Sequence, residues 1–272
     1  LAKEFKHFNS QIVDLDKKIT IDKEKFIFSG SDLRKRQHAF GISIEDLEMI
    51  LHPMAEDAKE AVGSMGDDTP LAVLSDRYRP LYHFFRQNFS QVTNPPIDSL
   101  RENKVMSLKT RFGNLGNILN FDKLTKDNIY VLESPILSNS QFSKFIKFFG
   151  ENSKTIDCTF LHDSSLVESL DKIIKESEIA VRQGATQLVL TDIAVSEEKI
   201  AIPMLLCVGA INKHLIKKKL RGYVSINVQT GEALDTHSFA TILGVGATTI
   251  NPYLALDSLH QRYKKNLFGK FR

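Results

Sequence analysis

Three stretches of the sequence combine residue types that could bind phosphate or carry out catalysis. The first, residues 63–69, reads GSMGDDT and has the glycine content of a phosphate loop. Phosphate loops of nucleotide-binding proteins place a lysine before the final serine or threonine, where its charge meets the phosphates. Asp68 stands at that place and would repel them. The stretch therefore argues against nucleotide binding and indicates a tight turn whose acids accept backbone hydrogen bonds.

The second stretch is His162-Asp163-Ser164-Ser165, which follows a predicted strand. Barrel enzymes keep their catalytic residues at the carboxyl ends of strands, so the position itself is suggestive. Adjacent side chains of an extended segment point to opposite sides, however, and His162 need not reach Ser164. Asp163 or Ser164 as the N-cap of the following helix explains the cluster without catalysis.

The third feature is a pair of loops, Thr230-Gly231-Glu232 and Asn251-Pro252-Tyr253, which follow the last two predicted strands. Barrels often bind a phosphate group in the loops after their seventh and eighth strands, through backbone amides. Glu232 would add a negative charge at this place, and Pro252 lacks an N–H donor. The loops therefore predict a barrel whose phosphate and cofactor site has been lost.

Metal and thiol chemistry find little support in the sequence. Cys158 and Cys207 lie far apart in apolar stretches, which indicates two buried free thiols and, weakly, a reducing compartment. No CxxC, HExxH or GxSxG pattern occurs, so we predict no catalytic, cofactor-binding or metal-binding residue. The basic run Lys217–Arg221 ends a predicted helix, and we interpret it as a solvated helix end whose cations face the negative pole of the dipole.

Strands and helices alternate regularly in the second half of the chain. The predicted strands read IDCTFL, TQLVLTDI, YVSINVQ and ATTINP, and the predicted helices read SLVESLDKIIKESEIAVRQ, PMLLCVGAINKHLIKKKL, THSFATILG and LALDSLHQRYKK. Such alternation predicts parallel βα units with right-handed crossovers. Four units make half of a (β/α)8 barrel. The first half is less regular, although Ser43 and Asp46 form a capping-box pattern before IEDLEMIL. We therefore predict an α/β fold, a degenerate (β/α)8 TIM-barrel-like domain.

The composition is that of an ordinary globular protein, with 272 residues, 42% hydrophobic and 25% charged. The net charge is only +3, and residues 259–272 hold basic residues but no acid. A nucleic-acid binder would carry a broader basic face, so no nucleic acid is expected as a partner. The sequence contains no membrane span or secretory signal, and the lack of an initiator methionine suggests an excised fragment.

A long stretch near the N-terminus resembles a known family. It begins at IEDLEMIL, residues 44–51, and continues with PMAE and KEAVGSMGDDTPLAVLSDRYRPLYHFFRQNFSQVTNPPIDSLRE to Glu102. This stretch resembles the central domain of glutamate synthase large chains. LESPIL at 132–137 and NPYLAL at 251–256 are similar to further landmarks of that family. The resemblance covers about residues 36–258.

The resemblance implies a place within a larger enzyme. In that family a glutaminase domain releases ammonia, which passes through a tunnel to an FMN-bearing barrel with an iron–sulfur cluster, where 2-oxoglutarate becomes glutamate. The central domain lies between them and is similar to the FMN barrel. Residues 1–35 would then be the connector from the glutaminase domain, 36–258 the central domain, and 259–272 a basic helical segment leading toward the FMN domain. The fragment alone would be inactive, in the cytoplasm or a plastid.

The resemblance also suggests which residues would line the ammonia tunnel, namely Met65, Thr93 and Asn94. A simpler explanation is that Met65 fills the core and that Pro95 and Pro96 merely end a helix. Two other functions stay open at this stage. One is a stand-alone FMN-dependent barrel oxidoreductase, and the other is a non-catalytic module whose basic tail binds an anionic partner.

Overall fold

A computed structural model describes residues 12–21, 23–60, 79–85, 96–113 and 128–269. Within these residues, no helix is both long and apolar enough to cross a membrane. The predicted GSMGDDT turn lies outside the described residues.

The described strands form three sheets. The strands are β1 Ile12–Asp14, β2 Thr110–Phe112, β3 Ile129–Leu132, β4 Ser153–Asp157, β5 Thr159–Leu161, β6 Gln187–Thr191, β7 Lys199–Ala201, β8 Ser225–Gln229 and β9 Thr249–Asn251. The largest sheet is fully parallel, in the order β4-β6-β8-β9. Of the two smaller sheets, β1-β3-β2 precedes it in the chain, and β5-β7 is formed by strands that lie between those of the parallel sheet.

Helices follow the strands of the parallel sheet. The α-helices are α1 Gly30–Ala39, α2 His52–Asp57, α3 Ser99–Val105, α4 Asn139–Phe149, α5 Leu166–Arg182, α6 Met204–Lys217, α7 Thr236–Gly244 and α8 Tyr253–Lys264. A π-helical turn at Asp46–Leu51 precedes α2, and short 3₁₀ turns occupy Leu81–Phe84, Gly150–Asn152 and Arg221–Tyr223. The four predicted βα units are confirmed in order, although the first predicted strand, IDCTFL, is not one continuous strand.

Local chemistry sets the ends of these helices. The predicted capping box is present, since the Asp46 N–H donates to Ser43 Oγ at 3.1 Å and the Ser43 N–H donates to Asp46 Oδ2 at 2.8 Å. The prediction for α5 was wrong by one or two residues. Its N-cap is Ser165, whose Oγ accepts from the Glu168 N–H, and not Asp163 or Ser164.

The two faces of the parallel sheet bury different partners. Leu188 and Leu190 of β6 point to the side covered by α5 and α6, where the largest apolar cluster also encloses Cys158 and Cys207 as free thiols. Val189 points to the other side and packs with Phe142 and other apolar residues of α4 and β3. Cys158 interrupts the predicted strand IDCTFL, which divides into β4 and β5.

The α/β class with a mostly parallel sheet is confirmed, while the described strands do not form one closed ring. Within the described residues, the sheet continues beyond β9 through a parallel bridge between Ile136 and Ile250. The segment predicted as a connector contributes β1, which pairs in parallel with β3 and leads into the buried side chains of Leu15 and Ile19.

Arg221 differs from the solvated helix end predicted for its run. Its guanidinium donates to Asn212 Oδ1 at 2.7 Å, to the Val224 carbonyl at 2.5 Å and to the Gly246 carbonyl at 2.8 Å. Burial lowers the pKa of this guanidinium. Arg221 therefore joins the end of α6 to the loop after α7, whereas the neighbouring lysines stay exposed.

Candidate functional site

Three loops meet at the carboxyl edge of the parallel sheet. Asp192 follows β6, Thr230-Gly231-Glu232 follows β8, and Asn251-Pro252-Tyr253 ends β9 and begins α8. The strands are parallel and in register, with Thr191 opposite Gln229, so their carboxyl ends lie side by side. This is the edge at which α/β proteins bind ligands, and it is therefore the candidate site.

Asp192 is the centre of this site. Its carboxylate is fully buried, accepts a hydrogen bond from Thr230 Oγ1 at 2.5 Å, and accepts from the Gly231 N–H at 3.1 and 3.2 Å. Burial raises the pKa of Asp192 to about 6, while the bonds from Thr230 and Gly231 act in the opposite direction. The Gly231 amide, which could otherwise bind an anionic ligand, is held by this carboxylate.

Glu232 occupies a second anion-binding position. Its Oε2 accepts from the Met204 N–H at 3.0 Å, at the first residue of α6, where the helix dipole favours negative charge. Burial and the nearby Asp192 carboxylate raise the pKa of Glu232 to about 8. Glu232, the acidic residue of this loop, thus accepts a hydrogen bond from the first N–H group of α6.

Phe40, the C-cap residue of α1, covers the site at Gly231. A Cβ on Gly231 would lie 2.6 Å from Cε2 of the Phe40 ring, so any other residue at this place would force the ring or the backbone to shift. The ring is 8% exposed and fills the space in front of the Gly231 backbone. A phosphate group could not approach this backbone while the ring stays there.

Arg36 and Tyr253 complete the wall between α1 and the sheet. Arg36 Nη1 donates to the Ile193 carbonyl at 2.9 Å, and its guanidinium lies over the Phe28 ring at 3.7 Å. The buried Tyr253 hydroxyl lies close to Asp192 and Arg36 but makes no hydrogen bond of normal geometry. Burial and the Asp192 charge raise the pKa of Tyr253.

A row of polar side chains, all buried except the half-buried Gln229, extends the site along the sheet. Thr191 Oγ1 donates to Gln229, which donates to Asn251 Oδ1 at 3.1 Å, and Asn251 donates to Asn139 Oδ1 at 2.9 Å. The row ends where Asn139 donates to Asp257 Oδ1 at 3.0 Å. Because each group in the row already has a partner within the chain, the row fixes the sheet and offers no open ligand position.

The predicted cluster around His162 does not form a catalytic pair in the structure. His162 and Ser164 follow β5 in the two-stranded sheet, are exposed, and share no hydrogen bond, although both lie in the described part of the chain. Among the described residues, no group of three or more His, Cys, Asp or Glu is placed to hold a metal ion.

Comparison with protein families places this geometry in context. Residues 35–270 match the family described as the glutamate synthase central domain. The chain belongs to this family. The match covers most of the chain, including the loops of the candidate site.

The relatives that this chain matches are much longer proteins. The chain is 53% identical over 259 residues to the glutamate synthase [NADPH] large chain of Azospirillum brasilense, covering 94% of this chain and 17% of that protein. It is 44% identical over 233 residues to the Bacillus subtilis large chain, covering 85% and 15%. Against a ferredoxin-dependent glutamate synthase of Synechocystis it is 42% identical over 247 residues, covering 88% and 16%. The chain thus spans about a sixth of each relative.

The predicted tunnel residues Met65, Thr93 and Asn94 of this central domain lie outside the described residues. The structure brings together the two loops that the sequence singled out, around Glu232 and Pro252. Sequence reasoning missed Asp192, although a charged residue directly after the apolar run of β6 was an available signal. It also missed Phe40, for which no local pattern gives a signal.

Proposed function

We propose that the chain is the cofactor-free scaffold between the glutaminase and FMN domains of a glutamate synthase, and that the parent enzyme makes glutamate from glutamine and 2-oxoglutarate. The parent would be an oxidoreductase of the cytoplasm or a plastid. Because the relatives include enzymes named for NADPH and for ferredoxin, the family match leaves the electron donor open.

One observation supports the cofactor-free assignment above all others. At the carboxyl edge, the N–H groups of Gly231 and Met204 are the donors best placed to bind an anion. They donate instead to Asp192 and Glu232, and the Phe40 ring covers Gly231. These residues do not fit the phosphate of FMN. Two buried cysteines likewise do not fit an iron–sulfur cluster, which needs at least three clustered ligands in this family. We therefore place FMN and the cluster in a neighbouring domain.

The fold suggests how such a scaffold arose. Four βα units whose strands pair in parallel, with their loops at one edge, are what half of a (β/α)8 barrel would provide. We propose that the domain is a degenerate barrel related to FMN-linked oxidoreductases. Loss of the phosphate site would have allowed Asp192 and Glu232 to stabilise the loops instead.

We further propose that Met65, Thr93 and Asn94 line the path of ammonia between the neighbouring domains. Ammonia must travel in its neutral form, because an ammonium ion is costly to desolvate and has no lone pair for attack. An apolar wall with a few fixed polar groups is suited to this purpose. In the sequence, Thr93 and Asn94 directly precede two prolines, a residue type whose ring fixes φ.

The test uses the full-length enzyme with Thr93→Phe, and Thr93→Val as the control of similar volume. Thr93→Phe should leave glutamine hydrolysis intact and lower glutamine-dependent glutamate formation, while activity with added ammonia is spared. Thermal melting would first establish that both variants fold, since overpacking costs about 1–3 kcal/mol. Tight coupling at the normal rate in a folded Thr93→Phe enzyme would remove Thr93 from the path.

A further inference from the structure

Residues 23–28 run across helices α4 and α8, and none of these six described residues belongs to a helix or strand. We call them the strap. Its first half is bonded to the start of α4, because the Glu24 carboxylate accepts from the Ser138 hydroxyl at 2.8 Å and from the Ser140 N–H at 2.9 Å. The Lys25 N–H donates to Ser140 Oγ at 2.7 Å. Polar bonds to the first turn of α4 therefore hold this half.

The second half of the strap is held by one carboxylate of α8. Asp257 Oδ2 accepts from the Ile27 N–H at 3.1 Å and from the Phe28 N–H at 2.8 Å. The other oxygen of the same group, Oδ1, accepts from Asn139 Nδ2 at 3.0 Å. Asp257 thus joins the strap to the polar row that leads from Asn139 to the candidate site.

The strap contributes little buried apolar surface of its own. Phe26 is 38% exposed and Ile27 is 40% exposed, and the Lys25 side chain is exposed as well. The strands of the parallel sheet differ, since β6 is bonded on both sides and its side chains are all buried. A segment that is held by a few polar bonds opens at a lower free energy than such a core strand.

The chain is anchored on both sides of the strap. Before it, Leu15 and Ile19 are buried in the core. After it, the Phe28 ring lies under the Arg36 guanidinium at 3.7 Å, and Leu33 of α1 is buried. Lifting of the strap is therefore compatible with a folded chain on either side, in the manner of a lid.

Three buried polar side chains lie beneath the strap and bond to it directly or through Asp257. Asn139 is 6% exposed, Ser140 is 5% exposed and Asp257 is 1% exposed. We propose that the strap is a lid that opens while the parallel sheet stays folded, and that its opening exposes the Asp257 end of the polar row. The open form presents a carboxylate and a carboxamide to solvent, so the row that is closed in the structure becomes accessible at this end.

Hydrogen exchange of the full-length enzyme, resolved by mass spectrometry of peptides, tests whether the strap opens separately. After correction for intrinsic rates, strap amides should exchange at least about tenfold faster than β6 amides. Low concentrations of urea should accelerate exchange in β6 but hardly in the strap, because urea acts in proportion to the surface that an opening exposes. Equal protection and an equal dependence on urea would overturn the proposal, since the strap would then open only when the domain unfolds.

Asp257→Asn tests the anchor of the strap. An amide has only one oxygen acceptor, so its nitrogen would face a donor of either the strap or Asn139. Strap amides should therefore exchange at least about tenfold faster in this variant, with β6 unchanged. Asp171→Asn, at an exposed position on α5, is the control and should leave both peptides unchanged. Equal acceleration of the strap and β6 by Asp257→Asn would contradict a separate lid.

Thiol labelling tests whether the opening uncovers the residues beneath the strap. Ser140→Cys is the probe, and Ser177→Cys on α5 is the matched control, because both native serines are buried in helices and only Ser140 bonds to the strap. Adding Asp257→Asn should accelerate maleimide labelling of the Ser140→Cys thiol and leave the Ser177→Cys thiol unchanged. An unchanged rate at the Ser140→Cys thiol, or the same acceleration at both thiols, would overturn the proposal.

Discussion

Phe40 and Gly231 are in direct contact, with the Phe40 ring, just after α1, lying where any side chain at position 231 would have to be. The contact joins two parts of the chain that are far apart in sequence. It closes the carboxyl edge of the sheet at the point where a barrel with a cofactor would keep a phosphate.

Gly231→Ala should destabilise the domain by about 1–3 kcal/mol, because the added methyl group would overlap the Phe40 ring. Gly244→Ala is the control, since nothing lies within 4 Å of a Cβ at the end of α7. That change should be neutral, or stabilising by up to about 1 kcal/mol. Urea unfolding of both variants measures the difference.

A double-mutant cycle makes the test specific to the pair. Phe40→Leu removes the overlap, so the combined variant should lose less stability than the sum of the two single changes. Strict additivity would mean that the ring and the glycine do not interact in solution.

The buried carboxyls predict a definite pH dependence of stability. Glu232 has a folded pKa of about 8 against an ordinary value of 4.5, and Asp192 a folded pKa of about 6 against 3.8. Each group binds a proton in the folded state that the unfolded chain has already released. Stability from Asp192 therefore falls as the pH rises from about 4 to 6, and stability from Glu232 falls between about 4.5 and 8.

Glu232→Gln isolates this effect, because the amide oxygen can still accept from the Met204 N–H. The variant should match the native domain near pH 4 and exceed its stability at pH 8 by about 1 kcal/mol or more, since each pKa unit corresponds to about 1.4 kcal/mol. Glu197→Gln, which alters an exposed carboxyl, should follow the native curve. Parallel curves for all three proteins, from denaturation series at several pH values, would show that Glu232 ionises normally.

Much of the fold could be predicted from sequence, and the reason is local. The runs that became β6, β8 and β9 are short and lie between longer helical runs, so their type and order follow from residues close in the chain. The acidic residue in the Thr230-Gly231-Glu232 loop also gave a local signal. No local signal indicated which residues this loop contacts, because the contacts of Asp192 and Phe40 depend on how distant segments pack.

Arg221 illustrates the same limit at the opposite edge of the sheet. Within a run of basic residues it looks like another exposed cation, yet its three hydrogen bonds go to Asn212, Val224 and Gly246. Only the folded chain brings those acceptors together. A local charge pattern therefore could not separate this structural arginine from its solvated neighbours.

Arg221→Lys should cost about 1–3 kcal/mol, because a single ammonium cannot reach all three acceptors and leaves some of them buried without a partner. Lys217→Met, at an exposed position nearby, should change stability by less than about 0.5 kcal/mol. Thermal melting of the two variants decides between a structural role and the solvated end that the sequence suggested. Equal melting temperatures would contradict the observed bonding.

The proposed scaffold role requires that this domain bind no flavin. The most direct measurement is a titration of the folded 272-residue chain with FMN, followed by flavin fluorescence, with circular dichroism to establish folding. Asp192 and Glu232 accept the hydrogen bonds of the N–H groups that could bind a phosphate, and the Phe40 ring fills the space in front of Gly231. No saturable quenching of the flavin fluorescence should therefore occur. Saturable binding of one FMN per chain at micromolar concentration would contradict the account.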